Sequence, residues 1–165
     1  MADIGVRVNR AALERFRGEQ GLPAAVGALS EAAEVDLGGF HAGHIGMLNV
    51  AFELLEKATA PHYPTVHLYC ERVTNELREK FRRFSGKVRL AAEARVSQSR
   101  MDGLETRSQV LADAITEVLD GARGDWGNGM FYDGAYEVSF GPVKSGGRNF
   151  VQITKVTFEV CVSAD

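Results

Sequence analysis

Proline is scarce in this chain, and none occurs between Pro64 and Pro142, so nothing there forbids unbroken ladders or helices. Cysteine is scarcer still. Cys70 and Cys161 are the only two, each inside a predicted strand, and such usage favours buried reduced thiols over a disulfide. No apolar run reaches the length needed to cross a bilayer. The N-terminus carries no basic-then-apolar leader, which argues against a secretion signal. No catalytic motif stands out either, which points to a building block rather than an enzyme.

What is present is an ordinary globular composition in a chain of 165 residues, one domain's worth and enough for a real core. The net charge of −3 hides a block structure. Residues 1–70 balance to −3, residues 71–100 to +5 and residues 101–165 to −5. The middle block holds Arg72, Arg82, Arg83, Lys87 and Arg89, all candidates for a contact between subunits. Identical copies can dock a basic face on an acidic one. A nucleic-acid-binding patch is the rival reading, though the low overall pI speaks against a dedicated binder. Solvated faces of a helix and a strand are the simplest alternative.

Residues 1–46 read as an N-terminal helical arm with a glycine-rich connector, and residues 47–165 as a compact α+β domain. In the arm, Asn9 can cap a short helix carrying Leu13 and Phe16 that Gly18 and Gly21 end. Pro23 suits the first turn of a second helix bearing Val26 and Leu29. Such short pieces bury no core alone and are expected to pack on a neighbour. A helix over 47–57 precedes a breaker at 59–64. A strand is predicted at 65–73, then a helix capped by Thr74 or Asn75, with Leu77, Phe81 and Phe84 inward.

Residues 87–97 alternate, with Val88, Leu90, Ala92, Ala94 and Val96 on one face and Lys87, Arg89, Glu93, Arg95 and Ser97 on the other. That is a strand with one dry face and one wet face. A helix from about 101 to 120 buries Leu104, Leu111, Ile115, Val118 and Leu119 and stops at Gly121. Residues 121–130 read as a loop. Strands at 136–143 and 150–162 form a hairpin whose phase change calls for a bulge near Thr154 and Lys155. The expectation is an α+β fold: a mixed or antiparallel four-stranded sheet with helices on one face, plus the arm.

Other constellations fall to simpler readings. Gly121, Gly124, Gly127 and Gly129 lack the preceding strand, following helix and closing lysine of a phosphate cradle. His41 and His44 are spaced for metal, with His62 and His67 as partners, but no acidic residue or cysteine supports them. Cys70 in mid-strand reads as a core filler rather than a nucleophile. No catalytic residue, metal or cofactor is therefore expected. Two features resist the bland reading. Lys144 and Arg148 make a basic hairpin tip, and Trp126, Phe131, Tyr132 and Tyr136 cluster at a glycine-rich segment. Both suit subunit contacts or a passage lined for DNA.

Tyr63-Pro64-Thr65-Val66, Cys70-Glu71-Arg72-Val73, Phe84-Ser85-Gly86-Lys87 and the closing Val156-Thr-Phe-Glu-Val160 resemble phage tail-terminator and neck proteins, of the minor tail protein U kind. The resemblance spans residues 60–163 and rests on element order and strand pattern. It implies a virion structural protein, assembled in the host cytoplasm. Such proteins form a ring, usually a hexamer, where the tail tube meets the head connector. The ring would cap tube polymerisation, and its partners would be itself, the tail-tube protein and a head-connector or neck protein. Lys144 and Arg148 would reach either the adjacent ring or the lumen, where they would make non-specific contact with the passing DNA. A neighbouring neck or tail-completion role fits the same resemblance, and a small nucleic-acid-binding module is the remaining alternative. No membrane partner is expected.

Overall fold

The computed structural model describes residues 3–51, 54 and 63–165. Helices α1 (Ile4–Arg17) and α2 (Leu22–Ala32) come first, then a short turn of 3-10 helix over Ala42–His44. Strands β1 (Ile45–Met47), β2 (Thr65–Asn75) and β3 (Phe84–Gln98) precede helix α3 (Leu104–Gly121). Four strands close the chain: β4 (Gly124–Gly127), β5 (Met130–Phe140), β6 (Lys144–Gly146) and β7 (Asn149–Ala164).

All seven strands join one mixed sheet in the order β1-β2-β3-β7-β5-β4, with β6 also paired to β7. Only β1 and β2 run parallel; the other pairs are antiparallel. The sheet curls into a half-barrel, so the four-stranded sheet expected from the sequence is corrected to seven strands, while the α+β class stands. The β3–β7 ladder is its spine, running unbroken from Phe84 opposite Ala164 to Gln98 opposite Phe150.

Alternation in β3 behaves as its pattern dictates on one side. Val88, Leu90, Ala92, Ala94 and Val96 are all buried against the helices. Helix α3 contributes Leu104, Leu111, Ile115 and Leu119 to the same cluster. The other side of β3 is drier than expected, for Arg95 is only 2% exposed. Its guanidinium donates to the Val50 carbonyl at 2.8 Å, so the chain after β1 lies over that end of the face.

The helical arm is also corrected. Ile4, Val8, Phe16, Leu22 and Val26 share one hydrophobic cluster with Leu68, Leu90 and Phe158 of the sheet. Too short to bury a core alone, the two N-terminal helices bury their apolar stripes on their own chain's sheet. Residue 46, the expected limit of the arm, falls inside β1. Asn9 caps nothing: it is buried in the middle of α1, and its Nδ2 approaches the Leu68 carbonyl at 3.5 Å.

Three local expectations change. The predicted helix after Thr74 is a hairpin loop, because β2 continues to Asn75 and β3 begins at Phe84. The 121–130 loop contains a second hairpin, β4–β5, turning through Asn128 and Gly129 at φ 54° and 76°. That is the Asn-Gly signature of a tight turn with two left-handed residues. Finally, β7 has no bulge opposite β3. Gln152 and Thr154 stay on the buried face, where Ser108 of α3 donates to Gln152 Oε1 at 3.1 Å and Gln152 Nε2 donates to the Gly141 carbonyl at 3.0 Å. Of the predicted helix at 47–57, Met47 lies in β1, and residues 52–53 and 55–57 are outside the described residues. His62 is outside them too.

Candidate functional site

The face of the sheet turned away from the helices carries a connected polar network. Glu71 sits at the β2 bulge, where the register slips between Cys70 and Arg72. Its carboxylate accepts from Arg89 Nε at 2.8 Å and from Lys155 Nζ of β7. The Lys155 hydrogen bond is the main force holding the Glu71 carboxyl below its ordinary value, and the same bond raises the Lys155 ammonium. Farther along, the Tyr69 hydroxyl donates to Glu93 Oε1 at 2.8 Å, and Arg95 Nη2 donates to Glu93 Oε2 at 2.9 Å. Burial, then the Glu93 carboxylate, pushes Tyr69 up to about 12. Burial, then neighbouring Arg95, lowers His67.

The five subunit-contact candidates come together on one hairpin. Arg72 closes the β2 bulge opposite Arg89, Lys87 and Arg89 line the start of β3, and Arg82 and Arg83 lie in the loop between. Three of them meet carboxylates of their own chain. Lys87 pairs with Glu159 at 3.3 Å, Arg89 with Glu71 at 2.8 Å, and Arg82 with Asp165 at 2.5 Å. Because β3 lies antiparallel to β7, the basic middle of the chain is laid directly on its acidic C-terminal strand. Among the described residues, Arg72 and Arg83 have no ion pair.

Lys144 and Arg148 flank the exposed β6–β7 turn at the opposite end of the sheet. The β3–β7 register separates that turn from the 76–83 loop by fourteen strand steps, on the order of 45 Å. Lys144 and Arg148 therefore cannot share a contact with Arg82 and Arg83 on one small partner site.

The loop at 76–83 is a built finger. Asn75 Oδ1 accepts from Leu77 N at 3.2 Å and Ser85 N at 3.1 Å, and its Nδ2 donates to the Arg83 carbonyl at 3.0 Å. Glu79 N donates to Ser85 Oγ at 2.8 Å, and Ser163 Oγ donates to Glu79 at 3.0 Å. With its base held this way, the finger presents Phe81, 97% exposed, and Leu77, 65% exposed. Leu77 also holds φ at 50°, a left-handed conformation rare for a bulky side chain. Sequence reasoning placed both residues in a core. Their spacing mimics a helix stripe, and the only contrary signal was the density of charge around them: Arg78, Lys80, Arg82 and Arg83.

The second feature is on β5. That strand leaves its ladder with β7 between Tyr132 and Tyr136. The break opens a cleft of about 210 Å³ lined by Arg89, Asp133, Tyr136, Glu137, Phe158 and Glu159. Beyond Tyr132, no described strand pairs with the outer edge of β5. Tyr136 and Phe140 are half exposed there. Of the predicted aromatic cluster, Trp126 and Tyr132 go the other way, into the core. Trp126 Nε1 donates to the Ala122 carbonyl at 2.7 Å and the Arg15 guanidinium lies 4.2 Å from its ring centroid.

The histidines do not converge on a metal geometry. His41 Nδ1 accepts from Gly43 N at 3.1 Å, His44 Nδ1 lies 2.8 Å from the Pro64 carbonyl, and His67 faces Arg95 at 3.3 Å. Among the described residues no group of three or more metal-ligating side chains forms. Cys70 and Cys161 are both free thiols, and burial raises Cys70. Among the described residues no helix is long and apolar enough to cross a membrane.

Compared with protein-family models and with curated proteins, the chain matches none.

Proposed function

We propose that this chain is a structural subunit of a phage tail, a tail terminator that assembles as a ring at the junction of tail tube and head connector. The observation that carries the reading is a sheet that, among the described residues, is only partly paired along both outer edges. Among the described residues, β1 pairs only with Val66, His67 and Leu68 of β2, and β4 only with Met130, Phe131 and Tyr132 of β5. Monomeric proteins blunt or cover their edge strands, because unpaired edges recruit other chains. Two different open edges on one subunit suit head-to-tail contacts, which close into a ring when the rotation per copy divides a full turn.

On this reading the work is geometric rather than catalytic, and it uses no cofactor. One ring face would stack on the last tube ring and stop its growth, and the other would meet a head-connector or neck protein. Lys144 and Arg148, at one end of the sheet, would reach the adjacent ring or the DNA in the lumen. The protein would assemble in the host cytoplasm and reside in the virion. A neighbouring neck or tail-completion role would use the same edges. Internal pairing of Arg82, Lys87 and Arg89 weakens the nucleic-acid-module alternative, since those charges are already neutralised by carboxylates.

Light scattering and negative-stain imaging test the proposal, on the purified chain alone and mixed with the tail-tube protein of the same genome. A closed ring of hexamer size that caps tube ends is expected. A chain that stays monomeric in both conditions overturns the reading.

A further inference from the structure

We infer that the 76–83 finger of one copy docks into the β5 cleft of the next, with Phe81 as the anchor. This rests on the ring reading above and names the contact that closes the ring. The two halves are complementary in size and charge. Phe81 is 97% exposed, so its own chain leaves it unburied. An exposed aromatic at a loop tip held by the Asn75 and Ser85 hydrogen bonds is a pre-organised anchor, which limits the ordering cost of binding. The cleft, about 210 Å³, exceeds the roughly 150 Å³ of an engineered apolar cavity that binds benzene. Tyr136, half exposed, is the aromatic side chain open to it, while the Phe158 ring is turned into the core against Phe16 and Tyr132.

Charge selects a second copy as the occupant. Lys80 and Arg83 flank Phe81, and Asp133 and Glu137 flank the cleft. Among the described residues none of these four makes an ion pair. The other charges of both patches, Glu76, Arg78, Glu79, Arg82, Arg89 and Glu159, already have partners in the chain. What remains uncompensated is thus positive on the finger and negative at the cleft. A nucleic acid would be repelled by the carboxylates of the cleft. Finger and cleft are different patches, so the contact is head-to-tail and closes a ring rather than a two-fold dimer.

The test uses the full chain, alone and with tail-tube protein, and reads assembly against concentration by light scattering. Phe81→Ala is expected to raise the concentration for half-assembly by roughly thirtyfold, the effect of losing a central aromatic anchor. Its unfolding midpoint should not move, since the side chain is almost wholly exposed in its own chain. Lys80→Glu and Glu137→Lys should each weaken assembly, and the double variant should recover it. A photoreactive benzoylphenylalanine placed at position 81 should cross-link to residues 131–140 of another copy. Rings that form normally with Phe81→Ala, or cross-links to other regions or only to nucleic acid, overturn the docking while leaving the ring itself standing. A wild-type chain that forms no ring alone or with tube protein overturns both.

Discussion

At the scale of single residues, the burial of Arg95 separates a structural ion pair from surface ones. Its guanidinium touches Glu93, Val50 and His67, and it is nearly sealed from water. Removing one partner of a buried pair strands the other, and that costs about 3–5 kcal/mol. Arg95→Ala should therefore lower stability by about 3 kcal/mol in urea unfolding, whereas Arg89→Ala, at a half-exposed pair, should cost no more than about 1 kcal/mol. Equal losses would refute the distinction.

Glu71 gives a pH test with a definite sign. Its folded pKa is depressed below the ordinary 4.5, first by the Lys155 hydrogen bond and then by Arg89. Its stabilising contribution is therefore fully present above the unfolded value and is lost as pH falls through the folded one. Glu71→Gln should destabilise the protein at pH 7, and its deficit against the wild type should shrink once pH drops below the carboxylate range. A deficit that is constant with pH would mean that packing at the β2 bulge, not charge, is what Glu71 supplies.

At the scale of elements, the β2–β3 hairpin shows where local periodicity misleads. Leu77, Phe81 and Phe84 fall at helical spacing, and Ser85-Gly86 looks like a helix stop. In the structure Phe84 is a buried strand residue, while Leu77 and Phe81 stand in solvent. What decides the matter is pairing: Asn75 opposite Gly86 and Thr74 opposite Lys87 extend the ladder through the segment. Gly86 is required for that closeness, since a Cβ there would lie 2.0 Å from the Thr74 carbonyl oxygen. Gly86→Ala should destabilise by about 2–3 kcal/mol through overpacking against backbone, read as a lower midpoint in thermal or urea unfolding. A neutral result would mean that the hairpin end is looser than its hydrogen bonds imply.

The β4–β5 hairpin is a different failure. Its Asn128-Gly129 turn was present in the sequence as a recognised signal, but the flanking glycines made the whole segment read as loop. The missing bulge in β7 has a physical cause as well. Gln152 looked like an outward residue, yet Ser108 and the Gly141 carbonyl satisfy its amide, so the polar side chain can stay on the buried face.

At the scale of the whole molecule, the N-terminal helices are part of the core. Phe16 is buried and its ring lies 6.5 Å from that of Phe158 in β7. Phe16→Ala should cost about 3–5 kcal/mol and lower a single unfolding transition seen equally by helix and sheet probes. Two separate transitions would restore an independent arm. The cysteines are also placed by the tertiary fold. Cys70 stands opposite Leu90 on the helix-covered face and Cys161 opposite Lys87 on the other, so the sheet itself lies between them.

Much of this protein was written locally. The alternation of β3, the apolar stripe of α3, the glycine after α1 and the proline opening α2 act over a few residues, and short-range sterics and periodic burial decide them. Tertiary structure alone decided the rest. It laid the basic middle of the chain on its own acidic C-terminal strand and buried Arg95 beneath the Val50 carbonyl. It also folded the N-terminal helices onto the sheet and pushed Phe81 out into water. Each of those outcomes depends on which strands pair across long stretches of chain, and no local pattern of apolar and polar residues encodes that choice.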